Sequence, residues 1–436
     1  MEKTAAIPFS NDVRESDQSL LWHPYTQAQT APKPIQIKKG RGARLFTSDN
    51  EFYIDAISSW WVNLHGHSHP LIAKRIAEQA EELEHVLFAD FTHEPALQLA
   101  SQLLGILPAH LSRIFFSDNG STAIESALKI AFQYFYNQNC HTKRRRAIAF
   151  KHGFHGETIG AMSLTDRGLF TKPFSPLLFD VTLIDPPFKG SEAASIDQLQ
   201  YELEKEDVAC FFFEPQIQGV GGFLIHDLDA LDTMIALCNK HGTLTIADEV
   251  MTGFGRTGPL FVSDNLQHSP DMICLAKALT GGFLPLGATV CAEFLFEAFL
   301  DNSRSKALLH GHSYTANPIA CAAASANIEL VTSDTCSEQR RSIEAHHLSF
   351  QQRIKDHPKV DDCRVLGTIL ALDYRVEGQN SYFSHMRDQL LAHFLRNRVL
   401  LRPFGNTLHI MPPYCISADD LNLVYQVIES SLEINE

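Results

Sequence analysis

Short apolar runs that end at a single charged residue recur through the second half of the chain. The run at 243–247 stops at Asp248. The run at 272–276 stops at Lys277. Short, continuous apolar runs of this kind are typical of strands buried on both faces in a parallel sheet. Because ligands bind beyond the carboxyl ends of such strands, we predict that Asp248 and Lys277 face one site.

Amphipathic stretches with helical periodicity alternate with these runs. Helices are predicted at 71–86 and 94–107, and each strand predicted within 113–136, 145–165 and 207–222 is followed by a polar or glycine-rich turn. Alternating strands and helices predict an α/β fold with a large domain built on a mostly parallel central sheet.

The two ends of the chain have a different pattern. Residues 1–20 are polar and are predicted to form a mobile or partner-dependent arm, and 35–61 reads as an antiparallel meander with turn signals. After about residue 335 a long polar helix, short strands and a final helix predict a small α+β domain. The predicted division is 1–70 as an N-terminal segment of the small domain, 71–330 as the large cofactor-binding domain and 331–436 as the C-terminal small domain.

Composition excludes several classes of function. The chain has 436 residues and a net charge of −15, which argues against nucleic-acid binding and against an anionic membrane surface. The most apolar region, 273–300, is interrupted by Lys277, Pro285 and Glu293, so no membrane span is predicted. Nine cysteines without a C-x-x-C spacing are typical of reduced thiols in a cytoplasmic protein.

An aspartate and a lysine at one site have two interpretations. A lysine can form a Schiff base with pyridoxal 5′-phosphate (PLP), and an aspartate can pair with its protonated pyridine nitrogen. The alternative is a salt bridge between two strand ends. A zinc site at His65, His67 and His69 is not predicted, because their segment is turn-like and no further ligand motif lies nearby.

Three other predicted loops carry groups that a PLP site needs, and each also has a purely structural interpretation. The turn at 119–122 opens a helix and can bind a phosphate, or it can only cap that helix. Phe154 can stack on a pyridine ring or close over the core. Glu214 can contact the ring hydroxyl or position the Lys277 loop.

Five motifs taken together resemble the class-III aminotransferases of PLP fold type I. They are DNGSTAIESALKIA, FHGET, FFFEP, IADEVMTGFGRTG and LAKALTGGFLPLGA, in family order over nearly the whole chain. The resemblance implies that Lys277 carries PLP and moves the proton during catalysis. It also implies that Asp248 binds the pyridine nitrogen and that Gly120 and Ser121 bind the phosphate, with Phe154 on the ring.

The resemblance also implies a homodimer with shared active sites. In the family, the loop that matches His310 to Ser313 reaches the cofactor phosphate of the neighbouring subunit. His312 and Ser313 would make that contact, and Gly311 would lie against the substrate.

A narrower resemblance involves both ends of the chain, in WHPYT (22–26), SSWWVNLHGHSHP (58–70) and RPFG…MPPY (402–414). These are similar to the family members that aminate 8-amino-7-oxononanoate in biotin biosynthesis. In those members the residues that match Tyr25 and Trp60 line the substrate pocket, and the one that matches Arg402 binds a carboxylate. A long apolar oxo-acid fits aromatic walls and one distal guanidinium.

The sequence departs from some members at three places. Phe154 and His409 stand where some members have tyrosine, and His312-Ser313 replaces a proline–threonine pair. These departures leave two donors open, S-adenosylmethionine, which is usual, and lysine. Two further alternatives are another class-III activity, such as an ω-amino acid–pyruvate aminotransferase or an aminomutase, and a non-catalytic PLP-binding protein. A nicotinamide enzyme is excluded, because no G-x-G-x-x-G follows a first strand.

Overall fold

The computed structural model describes residues 13–376 and 385–434. The strands are β1 (Ile37–Arg41), β2 (Arg44–Thr47), β3 (Phe52–Asp55), β4 (Leu111–Ser117), β5 (Arg146–Phe150), β6 (Val181–Ile184), β7 (Val208–Phe213), β8 (Ile217–Gln218), β9 (Leu224–Ile225), β10 (Leu244–Asp248), β11 (Met272–Leu275), β12 (Gly287–Ala292), β13 (Val360–Leu366), β14 (Ile369–Tyr374), β15 (Val399–Leu400) and β16 (Thr407–Ile410). The helices are α1 (Val13–Leu20), α2 (Ser58–Trp61), α3 (Pro70–Glu82), α4 (Glu94–Ile106), α5 (Gly120–Gln138), α6 (Ile159–Ser163), α7 (Glu192–Leu203), α8 (Leu228–His241), α9 (Glu293–Glu297), α10 (Pro318–Val331), α11 (Asp334–Ile354), α12 (His385–Arg396) and α13 (Ala418–Ser431).

A seven-stranded sheet forms the centre of the molecule, in the order β4-β12-β11-β10-β7-β5-β6. All its neighbouring strands are parallel except at β12, which runs antiparallel to both β11 and β4. The strands β7, β10 and β11 are buried along their whole length, as their apolar runs predict. The prediction of an α/β fold with a mostly parallel central sheet is therefore confirmed.

Strand register brings the two charged strand ends to the same edge of this sheet. Asp248, the last residue of β10, pairs with Cys274 of the parallel strand β11. Lys277 follows Cys274 by only three residues and begins a short 3-10 helix, 277–280. Both side chains therefore emerge beyond the carboxyl edge of the sheet, where an α/β fold places its ligands.

Residues from both ends of the chain build a second layer. The meander β1-β2-β3 is completed by β15, which runs parallel to β3, and β13, β14 and β16 form a separate antiparallel sheet. One hydrophobic cluster contains Ile54 and Ile57 from the N-terminal region together with Phe394, Leu408 and other C-terminal residues. These contacts support the division at 1–70, 71–330 and 331–436, which remains our proposal.

The expectation of a mobile or partner-dependent arm stays a prediction. Residues 13–20 form helix α1 with Ser16 buried, and 1–12 lie outside the described residues. The predicted meander was wrong at its C-terminal end. The meander ends at Asp55 and not at residue 61, because the Asp55 carboxylate accepts hydrogen bonds from the backbone N–H groups of Ile57 and Ser59 and folds the chain into a tight turn. Within the described ranges no helix has the length and apolarity needed to cross a bilayer.

Candidate active site

Lys277 lies partly buried beyond the end of β11 in a strained backbone conformation. Its φ is 40°, in the left-handed region that non-glycine residues rarely adopt, and strain of this kind is found preferentially at functional sites. Burial lowers the pKa of its ammonium group to about 8, while the charges of Asp248 and Glu214 act in the opposite direction. About a tenth of the Lys277 side chains is therefore neutral and nucleophilic at pH 7, a far larger fraction than for an ordinary lysine.

Asp248 is held by two hydrogen bonds at the end of β10. Its Oδ1 accepts from the backbone N–H of Val250 at 3.0 Å, and its Oδ2 lies 2.8 Å from Nδ1 of His155. Burial disfavours the charged imidazole, but the hydrogen bond and the negative charge of Asp248 outweigh that effect and raise the pKa of His155. The sequence motif FHGET contains His155 without indicating this contact, since the two residues are 93 positions apart.

Glu214 ties two loops of the site together. Its carboxyl group accepts from the backbone N–H of Phe154 at 2.9 Å and from that of Gly219 at 2.8 Å. Burial raises its pKa to about 7, although the neighbouring charge of His155 acts against the rise. Glu214 therefore fixes the position of the Phe154 loop, and it can exchange a proton near neutral pH.

The turn before α5 has the geometry of an anion cradle. Asn119 caps the helix by accepting from the backbone N–H of Thr122 at 3.0 Å, which satisfies one of the free donors of the first turn. A Cβ atom on Gly120 would lie 2.9 Å from Cγ1 of Val250, so glycine allows the turn to approach the segment that follows β10. Ser121 accepts from the backbone N–H of Glu157 at 3.1 Å and faces the same loop as Phe154.

The predicted substrate residues form a half-exposed aromatic wall beside this buried cluster. The ring centroids of Tyr25 and Trp60 are 5.6 Å apart, and the Tyr25 hydroxyl donates to Glu157. The guanidinium carbon of Arg402 lies 5.8 Å from the centre of the Trp60 ring. Both aromatic side chains are 44% exposed, so the wall opens to solvent and offers an apolar face next to a cation.

Trp61, the neighbour of Trp60, lies on the buried side of the same turn. Its ring centre is 4.5 Å from Nζ of Lys277, and its indole N–H donates to Nε2 of His409 at 2.8 Å. The resemblance assigned Trp60 to the substrate pocket and gave no role to Trp61, which is 4% exposed. Positive φ angles at Ser58, Ser59 and Trp61 break the local periodicity and send the two rings to different environments.

The loop of His310 to Ser313 lies away from Lys277, on the surface beside the start of α5. His312 Nδ1 lies 3.3 Å from Oδ2 of Asp118, and the carbonyl of Ser313 lies 2.7 Å from Nε2 of His85. Gly311 is exposed, and a Cβ atom there would meet open space. An exposed loop held in this way is available to a second molecule.

The histidines at 65, 67 and 69 have different partners, although the rings of His65 and His69 also contact each other edge to face with centroids 5.9 Å apart. His65 hydrogen-bonds Asn327 at 3.1 Å, and His67 lies 2.9 Å from Asp55. In the part of the chain that the structure describes, no group of three histidine, cysteine or carboxylate side chains is arranged to bind a metal ion.

Comparison with known proteins agrees with this geometry. The sequence model of the family "Aminotransferase class-III" matches residues 25–432. The chain belongs to the class-III aminotransferases. The predicted family is therefore confirmed.

Relatives of this class-III aminotransferase include proteins named adenosylmethionine-8-amino-7-oxononanoate aminotransferase. One from Synechococcus elongatus is 44% identical over 95% of this chain and 98% of its own length. One from Corynebacterium glutamicum is 33% identical over 97% of this chain and 98% of its own length.

Solved structures of two further relatives have the same fold. The enzyme of that name from Methanocaldococcus jannaschii superimposes with a TM-score of 0.91 at 31% identity, covering 97% of this chain and 98% of its own. A PLP-bound amine transaminase from an uncultivated Pseudomonas species gives 0.88 at 29% identity, covering 95% and 98%.

Proposed function

We propose that this chain transfers an amino group to 8-amino-7-oxononanoate with PLP as cofactor, giving 7,8-diaminononanoate for biotin biosynthesis, and that S-adenosylmethionine is the donor. Support comes from the names of relatives that match over nearly the full length, at 44% and 33% identity. The main structural support is the aromatic wall of Tyr25 and Trp60 with Arg402 beside it. The second feature is Lys277, whose pKa is lowered to about 8 by burial.

The residues around Lys277 fit PLP. A partly buried amine with a pKa near 8 can hold the aldehyde of the cofactor, and the carboxylate of Asp248, fixed by Val250 and His155, suits a protonated pyridine nitrogen. When bound, PLP supplies an electron-poor ring that stabilises the charge left by removal of a proton from the amine-bearing carbon. Lys277, once free, would take that proton and return it to the adjacent position.

The phosphate of the cofactor would lie against the start of α5. Gly120 and Ser121 offer backbone N–H groups at a helix N-terminus, where an anion is stabilised. We further propose that the chain works as a homodimer, in which His312 and Ser313 of one copy complete the phosphate site of the other. Their exposed loop, held by contacts to Asp118 and His85, supports this arrangement.

The oxo-acid would bind between the aromatic wall and Arg402. Tyr25, Trp60 and Phe154 would contact its alkyl chain, Gly311 of the second copy would border it, and Arg402 would pair with its carboxylate. With its carboxylate on Arg402, the oxo-acid would direct its ketone towards Lys277. All nine cysteines lie within the described ranges and are free thiols there, which supports a cytoplasmic location.

The decisive experiment mixes the purified PLP-loaded protein with 8-amino-7-oxononanoate and one donor at a time. We expect 7,8-diaminononanoate by mass spectrometry with S-adenosylmethionine, and little or none with lysine. A third reaction replaces the oxo-acid by pyruvate, and Lys277→Ala serves as the inactive control. Efficient transfer to pyruvate without transfer to the oxo-acid would assign a different class-III activity. Product formed with lysine but not with S-adenosylmethionine would contradict the proposed donor.

A further inference from the structure

The indole of Trp61 lies against the nitrogen of Lys277. The distance from Nζ to the ring centre is 4.5 Å, which is within the range of a cation–π interaction. Trp61 is buried, with 4% of its surface exposed, and Lys277 is partly buried. An aromatic face at this position stabilises the charged form of a free lysine.

His409 sets the position of that indole. The Trp61 N–H donates to Nε2 of His409 at 2.8 Å, and the imidazole stacks on Phe223 and Phe404 with centroid distances of 4.6 and 5.2 Å. Because tryptophan can only donate, the His409 ring is the tautomer with its proton on Nδ1. Burial lowers the pKa of His409 to about 3, so the ring stays neutral and remains an acceptor at every working pH.

We propose that His409 is a positioning residue, which acts through Trp61 to hold the free ammonium group of Lys277 on the indole face. The proposal rests on the proposed function only in taking Lys277 as the lysine that is attached to the cofactor and then released. Trp61 gives the released amine a defined place. Phe223 and Phe404 also pack edge-on against the indole, but the hydrogen bond to His409 is the polar contact that fixes the rotation of its face towards Lys277.

Other charges around Lys277 do not take over this role. Asp248 and Glu214 favour its charged form, while burial and the guanidinium of Arg256 favour the neutral form. Arg256 itself donates to the backbone carbonyl of Trp61 at 3.3 Å, so it fixes the main chain of the turn and not the ring. A change in the contact between Trp61 and His409 leaves these three charged groups in place. Its effect on the pKa of Lys277 can therefore be measured separately from theirs.

The test measures Lys277 in the cofactor-free full-length protein. The rate of its modification by trinitrobenzenesulfonate is followed against pH by peptide mass spectrometry, with the exposed Lys205 as an internal reference in the same digest. His409→Phe keeps a flat ring on Phe223 and Phe404 but removes the acceptor, and we expect the Lys277 midpoint to fall by about one pH unit. His409→Gln restores an acceptor and should return the midpoint towards the wild-type value.

Two Trp61 variants keep the test decisive if His409→Phe does not fold. Trp61→Leu removes the aromatic face and should lower the pH midpoint of Lys277 modification at least as far as His409→Phe does. Trp61→Phe keeps a smaller aromatic face, so its midpoint should lie between those of Trp61→Leu and the wild type. An unchanged midpoint in Trp61→Leu overturns the indole contact. A shift in Trp61→Leu with none in His409→Phe overturns the role of His409. Neither result depends on transferase activity, so failure of the proposed function is recorded separately.

Discussion

Nδ1 of His155 lies 2.8 Å from Oδ2 of Asp248, and both side chains are almost fully shielded from solvent. The aspartate raises the pKa of the imidazole against the effect of burial. A histidine whose pKa is higher in the folded than in the unfolded chain stabilises the fold below its unfolded pKa of about 6.5. That contribution is lost as the pH rises through the raised folded pKa.

We therefore expect the cost of His155→Gln to depend on pH. In urea unfolding of the cofactor-free protein, the midpoint difference between wild type and variant should be larger at pH 6 than at pH 10. His268→Gln is the matched control, because His268 makes an equally short contact to Asp232 while 45% exposed, where such a pair contributes little. If the midpoint difference between wild type and His155→Gln were larger at pH 10 than at pH 6, the ion pair would be contradicted.

Attachment of the cofactor should follow the protonation of Lys277. Burial lowers its pKa to about 8, and only the neutral amine attacks an aldehyde, so the rate of PLP incorporation should rise through pH 8 and level off above it. Stopped-flow absorbance on the cofactor-free protein measures this rate. After borohydride reduction, mass spectrometry should find the label on Lys277 in the wild type and none in Lys277→Ala, and label on another lysine would contradict the assignment.

Arg402→Ala should weaken binding of the oxo-acid and leave binding of the donor unchanged. A charge-assisted hydrogen bond is worth about 2 kcal/mol, so KM for 8-amino-7-oxononanoate should rise about 30-fold. The single-turnover reaction with the donor alone should keep its rate. Arg396→Ala removes an exposed arginine of α12 and should change neither value, and equal effects on both substrates would show that Arg402 acts on the fold.

Tyr25 should contribute through its ring more than through its hydroxyl. Tyr25→Phe loses the contact to Glu157 but keeps the ring 5.6 Å from Trp60, and we expect KM for the oxo-acid to rise less than about tenfold. Tyr25→Ala also removes the apolar wall and should raise KM further, as measured by initial rates over a range of oxo-acid concentrations. If the two variants behave alike, the hydroxyl and not the ring is the important group.

Two glycine replacements should have opposite effects on stability. Gly282 has a φ of 87°, and a Cβ atom there would lie 2.2 Å from Oδ1 of Asn63, so Gly282→Ala should destabilise the loop after Lys277 by about 1–3 kcal/mol. Gly105 lies in helix α4 with nothing within 4 Å of its Cβ position, and Gly105→Ala should stabilise by about 0.5–1 kcal/mol. Thermal unfolding of both variants under one condition measures the contrast.

The central sheet was predictable because its strands carry a local signal. The runs before Asp248 and Lys277 are apolar throughout, as strands covered on both faces must be, and their charged ends stand out. The antiparallel direction of β12 was not predictable in the same way. Its six residues, Gly287–Ala292, are as apolar and as buried as those of a parallel strand. The residues of β12 therefore do not indicate the direction of the strand, which is set by the connection between β11 and β12.

The buried contacts of the site were harder to predict, since each joins residues far apart in sequence. His155 reaches Asp248 across 93 positions, and Trp61 reaches His409 across 348. A side chain's role there depends on which neighbour the fold supplies. Trp60 and Trp61 are adjacent and chemically identical, yet one is half-exposed beside Arg402 and the other is buried on Lys277.

The parallel pairing of β3 with β15 links the strand before the Trp60–Trp61 turn to the order in which the chain is made. Ile54 pairs with Arg44 of β2 on one side and with Val399 of β15 on the other, so β3 lacks its second partner until almost all of the polypeptide has left the ribosome. The seven strands of the central sheet, by contrast, are complete in sequence at Ala292. If synthesis stopped between these two points, all strands of the central sheet would be present. Ile54 and Ile57 would remain exposed, because the C-terminal residues that pack against them would not yet have been made.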